Sequence, residues 1–299
     1  MPLAIIKGGH REGEMIYFDE RNREGSLKIE NLYDYIPDKE IRKQKKYMTT
    51  KEMLFLKDAF ENNHIRDEVK SIYDNLRPTM EKEISKHVHI NNGHFEIIPL
   101  IKENQVQKCF ISGQSGSGKS TWISNYAQTY KKLFPNNSIY VISRHNEDPV
   151  LDKIKGIKRI KIDDRLISQP IDCEDLANSV AIFDDTDCIK NKGHKDALNA
   201  LKNSILETGR HTRTSCLITS HLACKGSETR SILNEAHQIY FFIGSGMPIN
   251  YLLQNYMGLE KKQIGELKKD NTRWHGFLRG YPQMVLTETT LRFLKDINN

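Results

Sequence analysis

The chain has 299 residues and a formal net charge of +6, with 28% charged and 37% hydrophobic residues. That length supports a core of its own in one or two domains, and no apolar run approaches the ~18 residues that a membrane helix requires. Five cysteines, Cys109, Cys173, Cys188, Cys216 and Cys224, are an odd number without C-x-x-C spacing, which argues against a disulfide framework and a zinc knuckle and points to a reducing compartment.

Residues 1–105 carry no chemical motif. Short strands are expected at Ala4–Ile6 and Met15–Phe18, charged helical stretches from about Thr50 to His87, and a strand at Phe95–Leu100. The start, Met-Pro-Leu-Ala-Ile-Ile-Lys, lacks a basic segment followed by a long apolar one, so no secretory signal is expected. This part reads as a small α+β accessory region, and 106–299 as the main domain.

From Gln107 onward strand and helix signals alternate, the pattern of a mostly parallel α/β sheet with helices on both faces. Strands are expected at Cys109–Ser112, Ser138–Ser143, Ile157–Ile162, Val180–Phe183, Ser215–Ser220 and Gln238–Ile243. Helices are expected at Asp196–Thr208 and Glu228–Ala236, and Gly276–Leu278 with Met284–Leu286 would close the sheet as an edge hairpin.

The first of these strands runs into Gly113-Gln114-Ser115-Gly116-Ser117-Gly118-Lys119-Ser120-Thr121, a complete G-x-x-x-x-G-K-S phosphate loop. Phosphate oxygens need a close-approaching backbone, a mobile cation and a helix N-terminus, which the glycines, Lys119 and the helical pattern Trp122, Ile123, Tyr126, Ala127, Tyr130 supply. Ser120 offers a hydroxyl to Mg2+, so ATP with Mg2+ is the expected ligand pair.

The run Val180-Ala181-Ile182-Phe183-Asp184-Asp185 has the form of a Walker B strand. Asp184 is expected to hold the Mg2+ ion and Asp185 to orient or deprotonate the attacking water. Cys216-Leu217-Ile218-Thr219-Ser220-His221 again ends polar. In phosphate-loop ATPases with an inserted strand this segment lies beside the loop strand, placing Ser220 or His221 to sense the terminal phosphate. Arg210, in Gly209-Arg210-His211-Thr212-Arg213, is a candidate to reach a neighbouring subunit's nucleotide, with Arg213 and Arg230 as alternatives. None of the 11 histidines has H-E-x-x-H or similar spacing, so histidine metal ligation is not expected.

Taken in order, Gly113–Thr121, Ile182–Asp185, Gly209-Arg210-His211 through Leu217–His221, and Thr229–Glu235 resemble the FtsK/HerA superfamily of hexameric DNA-pumping ATPases. They most closely resemble the poxvirus-type genome-packaging ATPases of large DNA viruses and virophages, over about residues 107 to 245. Three positions depart from that pattern: Ser220-His221 stands where FtsK-type members carry Thr-Gln, and Asp185 where many carry Glu.

The resemblance implies a RecA-like, ATP-hydrolysing homo-oligomeric ring that pulls double-stranded DNA of any sequence into a preformed capsid. Capsid or portal proteins would be its partners, and the virion or a viral assembly site in the host cytoplasm its location. Under that reading Asp187–Lys195, with three lysines, is a candidate pore loop. Lys261, Lys262, Lys268, Lys269, Arg273 and Arg279 form a second candidate DNA face. A small-molecule kinase or a nucleotide-stabilised structural protein of the virion are the alternatives. No clear Arg-rich lid supports the kinase, Asn191-Lys192 is not followed by the Asp of a GTPase, and the Ser-Gly-Gly of an ABC ATPase does not occur.

Overall fold

The computed structural model describes residues 2–19, 26–31, 87–100, 105–242, 247–280, 282–294 and 297. The helical stretch expected from about Thr50 to His87 lies, up to residue 86, outside the described residues, as does Ile243. β1 (Pro2–Lys7), β2 (Glu14–Asp19), β3 (Ser26–Asn31) and β5 (His94–Ile97) pair antiparallel in a four-stranded sheet ordered β3-β2-β1-β5. β4 (His87–His89) leaves this sheet and joins the larger one.

The larger sheet holds β6 (Lys108–Ser112), β7 (Ser138–Ser143), β8 (Ile157–Lys161), β9 (Ser179–Asp184), β10 (Thr214–Ser220), β11 (Gln238–Phe242), β12 (Trp274–Leu278), β13 (Met284–Thr287) and β14 (Thr290–Phe293). β6, β9 and β10 are buried at every position, because a strand covered by helices on both faces has no polar side to show. The order is β4-β14-β13-β12-β11-β6-β10-β9-β7-β8. From β11 to β8 the neighbours run parallel, which is the mostly parallel arrangement of a phosphate-loop NTPase, and from β11 to β4 they run antiparallel.

The expected edge hairpin is therefore corrected. β12 and β13 do pair antiparallel, yet β14 and β4 continue the sheet past them. Thr290–Phe293, which carries β14, has only four residues, too few for a period-two pattern to stand out in the sequence.

Among the described residues, six α-helices accompany these strands: α1 (Lys119–Leu133), α2 (Arg165–Ser168), α3 (Lys192–Thr212), α4 (Ser227–Glu235), α5 (Met247–Asn255) and α6 (Lys261–Leu267). Alternate residues of each central strand feed two apolar clusters. Cys109, Ile111, Val180, Ile182 and Leu217 meet Trp122, Ile123, Tyr126 and Tyr130 of α1 on one face. Phe110, Ala181, Phe183, Cys216 and Ile218 meet Leu198, Leu201 and Ile205 of α3 on the other. Ile5, Ile16 and Phe95 of the four-stranded sheet belong to the first cluster, and Phe18 meets Phe293 edge-on at 6.3 Å. None of the described helices is long and apolar enough to cross a membrane.

Phe293 is fully buried where the two sheets meet. Phe293→Ala should lower unfolding free energy by about 3–5 kcal/mol. It should also speed amide exchange in β1 and β2 more than in β6 and β10, which hydrogen-exchange mass spectrometry would resolve.

Candidate active site

The loop after β6 is anchored by main chain: Gly113 N–H donates to the Ser220 carbonyl at 3.1 Å. A Cβ on Gly113 would stand 2.7 Å from Ser117 Oγ and 2.8 Å from Phe242 Cβ, so packing alone demands glycine. Gly118, at φ +106, precedes α1 and provides no side-chain cap, which leaves the first helical N–H groups for a ligand. Gln114, Ser115 and Thr121 are exposed, Gly116 lies in the turn between them, and Ser120 is half-buried in the first turn of the helix. Ser117 Oγ is buried without a hydrogen-bond partner. Lys119 is 6% exposed, and its ammonium donates to the carbonyls of Gly113 at 2.8 Å and Gln114 at 3.1 Å. Burial pulls its pKa down, while the charges of Asp185, Asp184 and Asp187 act in the opposite sense.

Two strand spacings, about 10 Å, separate the tips of β6 and β9, and β10 fills the gap. Thr219 of β10 is 1% exposed, and its hydroxyl donates to Asp184 Oδ1 at 3.0 Å while accepting the Asp185 N–H at 2.9 Å. Asp184 is 5% exposed. Burial first, and the like charge of Asp185 second, push its carboxyl up to about 6 against the Thr219 hydrogen bond. Asp185 takes the left-handed conformation at φ +50. This aims it differently from Asp184 and leaves its Oδ1 buried without a hydrogen-bond partner; His221 Nε2 stands 3.3 Å away without hydrogen-bond alignment.

A third carboxylate, Asp187, ties the β9 and β10 tips together. Its Oδ2 accepts the His221 N–H at 3.0 Å and lies 3.1 Å from the Ser220 hydroxyl, whose single proton is offered either to it or to the Leu222 carbonyl at 2.9 Å. Burial would raise the Asp187 pKa, yet the His221 N–H and Ser220 hydroxyl outweigh it and hold the carboxyl below its ordinary value. In the sequence Asp187 reads as part of the basic loop, although its spacing of three residues from the end of a buried acidic strand is a usable signal.

A buried carboxylate beside two half-buried ones, a loop ammonium, an uncapped helix and two orphaned oxygens fit a triphosphate and a hard divalent cation. The other expected residues scatter. Lys192, Gly193, His194 and Lys195 form the first turn of α3, with Asn191 Oδ1 accepting the His194 N–H at 3.1 Å. The expected pore loop thus shortens to Asp187–Asn191, because the Asn191 cap starts the helix early. Arg210 is exposed in the last turn of α3, and Arg213 caps that helix at φ +57 just before β10 begins. Both lie a full strand length, about 20 Å, from the phosphate loop of their own chain. Arg230 is exposed in the first half of α4, which starts on the same sheet edge as the loop.

The second basic cluster does not form one face. Arg279 donates to the carbonyls of Leu233 and Ala236 and finishes α4, while Arg273, at the other end of β12, pairs with Glu288 at 2.6 Å. Lys269 pairs with Glu266 at 2.7 Å. A ring nitrogen of His221, Cys188 Sγ and an Asp187 oxygen all lie within 4.8 Å of one another. These three donors come from two strand tips far apart in the chain, so no linear spacing could disclose them.

No family model matches the chain. Protein V3 of Sputnik virophage is 42% identical over 189 residues, covering 62% of this chain and 76% of that protein. Among solved structures, the DNA-packaging ATPase B204 from Sulfolobus turreted icosahedral virus is similar at 16% identity and a TM-score of 0.42, covering 62% of this chain and 97% of B204. The pCW3 conjugation coupling protein TcpA is similar at 11% identity and a TM-score of 0.42, covering 71% and 67%. The chain belongs to the family of Sputnik virophage protein V3.

Because the folded state raises the Asp184 pKa, ionising this group opposes folding: the protonated form is favoured below about 6, and the penalty grows as pH rises from the unfolded value toward that one. Asp184→Asn keeps the acceptor for Thr219 and removes the charge. Its thermal midpoint should exceed wild type at pH 8, by a free energy of at most about 3 kcal/mol, and the advantage should shrink as pH falls below about 6. A variant less stable than wild type at pH 8 in calorimetry would count against the charge penalty.

Proposed function

We propose that this member of the V3 family is an ATPase whose turnover drives double-stranded DNA through a homo-oligomeric ring into a viral capsid. In this reading 106–299 is the motor and 1–105 an accessory region. The observation that carries the ATPase reading is the insertion of β10 between β6 and β9, which sets the Lys119 loop beside the Asp184–Asp185 tip. The ordered motifs shared with the FtsK/HerA packaging ATPases support the motor reading and its place in the virion or at a viral assembly site in the host cytoplasm.

The roles follow from the donors each residue presents. Residues 113–121 bind the phosphates of ATP through main-chain N–H groups and the α1 N-terminus, and Lys119 exchanges its loop carbonyls for phosphate oxygens. Ser120 and Asp184 would hold Mg2+, which supplies charge neutralisation on the phosphate oxygens. Asp185 orients the attacking water and accepts its proton, using the oxygen that lacks a protein donor. Asp is one methylene shorter than Glu, and the left-handed turn at this residue re-aims the carboxylate. Ser220 and His221, fastened to Asp187, report whether the terminal phosphate is present. Exposed Lys190 and Lys192 flank the acidic tip, where they can contact DNA phosphates irrespective of base sequence.

Lys119→Ala should abolish nucleotide binding or turnover. Asp185→Asn should still bind ATP and lose roughly 100-fold or more of its hydrolysis. Duplex DNA of any sequence should stimulate wild-type hydrolysis in a ring-sized oligomer. A protein that hydrolyses ATP without response to DNA and stays monomeric with both present overturns the motor. Arg210→Ala and Arg230→Ala subunits, each mixed with Asp185→Asn subunits, should regain turnover for whichever arginine reaches a neighbour's nucleotide; no recovery for either at any ratio removes both from that role.

A further inference from the structure

We propose that Asp187, Cys188 and His221 form a binding site for a thiophilic divalent cation of the zinc class, next to the ATPase centre and distinct from its magnesium position. The donors converge from the turn after β9 and the end of β10, all within 4.8 Å of one another. Bond lengths of about 2.0 to 2.3 Å to O, N and S around a tetrahedral ion require ligand separations of roughly 3.5 Å. The remaining closure is little more than an ångström, and side-chain rotation of exposed Cys188 and half-buried His221 provides it.

The donor set selects the ion. One sulfur, one imidazole nitrogen and one carboxylate oxygen suit zinc, whereas Mg2+ takes oxygen ligands such as Ser120 and Asp184 offer. Asp187 keeps one oxygen available to the ion, because Oδ2 takes the two donors from β10 while Oδ1 receives only the Cys188 thiol, at 3.5 Å. Asp185 adds negative charge, with its Oδ1 3.3 Å from His221 Nε2. Lys225 is a nearby cation, and its ammonium donates at 3.1 Å to the main-chain carbonyl of Asp187.

Ligation takes the Cys188 sulfur as thiolate and releases its proton to solvent, so binding weakens as pH falls. Taking His221 into the metal shell draws it from Asp185 and fixes the β10 tip. Inhibition of hydrolysis by zinc is the consequence, and that consequence alone rests on the ATPase reading.

Cobalt titration of the full chain without nucleotide tests the site. One Co2+ per chain should bind with the charge-transfer absorption of a thiolate ligand. The band should vanish in Cys188→Ser and His221→Ala, remain in Cys224→Ser, and resist excess Mg2+. Cys188 is exposed, so Cys188→Ser should retain the wild-type circular dichroism spectrum. No thiolate band, a band that survives Cys188→Ser, or one that Mg2+ displaces overturns the proposal. Hydrolysis of Mg-ATP measured on the same preparation separates the two readings: loss of the band with intact turnover removes only the metal site, and a band without turnover removes only the ATPase.

Discussion

Two consecutive residues at the end of β10 hold both halves of the site. The Ser220 carbonyl takes the N–H of Gly113 and fixes the start of the phosphate loop, and the Thr219 hydroxyl fastens Asp184 and Asp185 at the same level. The Ser220 hydroxyl and the next N–H, from His221, reach across to Asp187. A one-residue slip of β10 against β9 would turn Thr219 to the other face of the sheet and break these links together. Register is defended by full burial of all seven β10 residues, whose alternate side chains serve two separate apolar clusters.

This anchoring keeps charge where folding alone would not place it. Asp184 and Lys119 are both nearly inaccessible, and burial shifts both toward their neutral forms. Their mutual attraction returns part of that cost, since each moderates the other's shift. The loop and the acidic tip also present unsatisfied oxygens, on Ser117 and Asp185. A site that fully satisfied itself would leave no free energy for a ligand to release.

Much of this was legible in the residues because the central strands are uninterrupted apolar runs that end abruptly in polar side chains. Cys109–Ser112, Val180–Asp184 and Ser215–Ser220 each mark one strand and its functional end, and the glycine spacing marks the loop. The illegible parts share a different cause, which is that a side chain's partner is set by tertiary position. Arg279 reads as one more surface cation until α4 is found ending against it. Asp187 reads as part of a lysine-rich loop until β10 arrives with two donors, and Asn191 reads as loop until its side chain starts α3 early. β4 is three residues long, and only its pairing with β14 distinguishes it from coil.

The long helix α3 carries the geometric consequence that matters for assembly. It starts beside the acidic tip at Lys192 and ends at Thr212, where β10 begins, so the helix and the strand return the chain along the full depth of the sheet. Arg210 and Arg213 therefore stand on the edge opposite the phosphate loop, and no rotamer of a side chain spans the ~20 Å between them. Any catalytic use of these two residues needs another subunit to present its loop to that edge. Arg230 has no such restriction, since α4 leaves β10 on the phosphate side. The two candidates thus demand different ring geometries: Arg210 a packing in which one subunit's lower sheet edge faces its neighbour's loop, Arg230 a packing in which the upper edges meet.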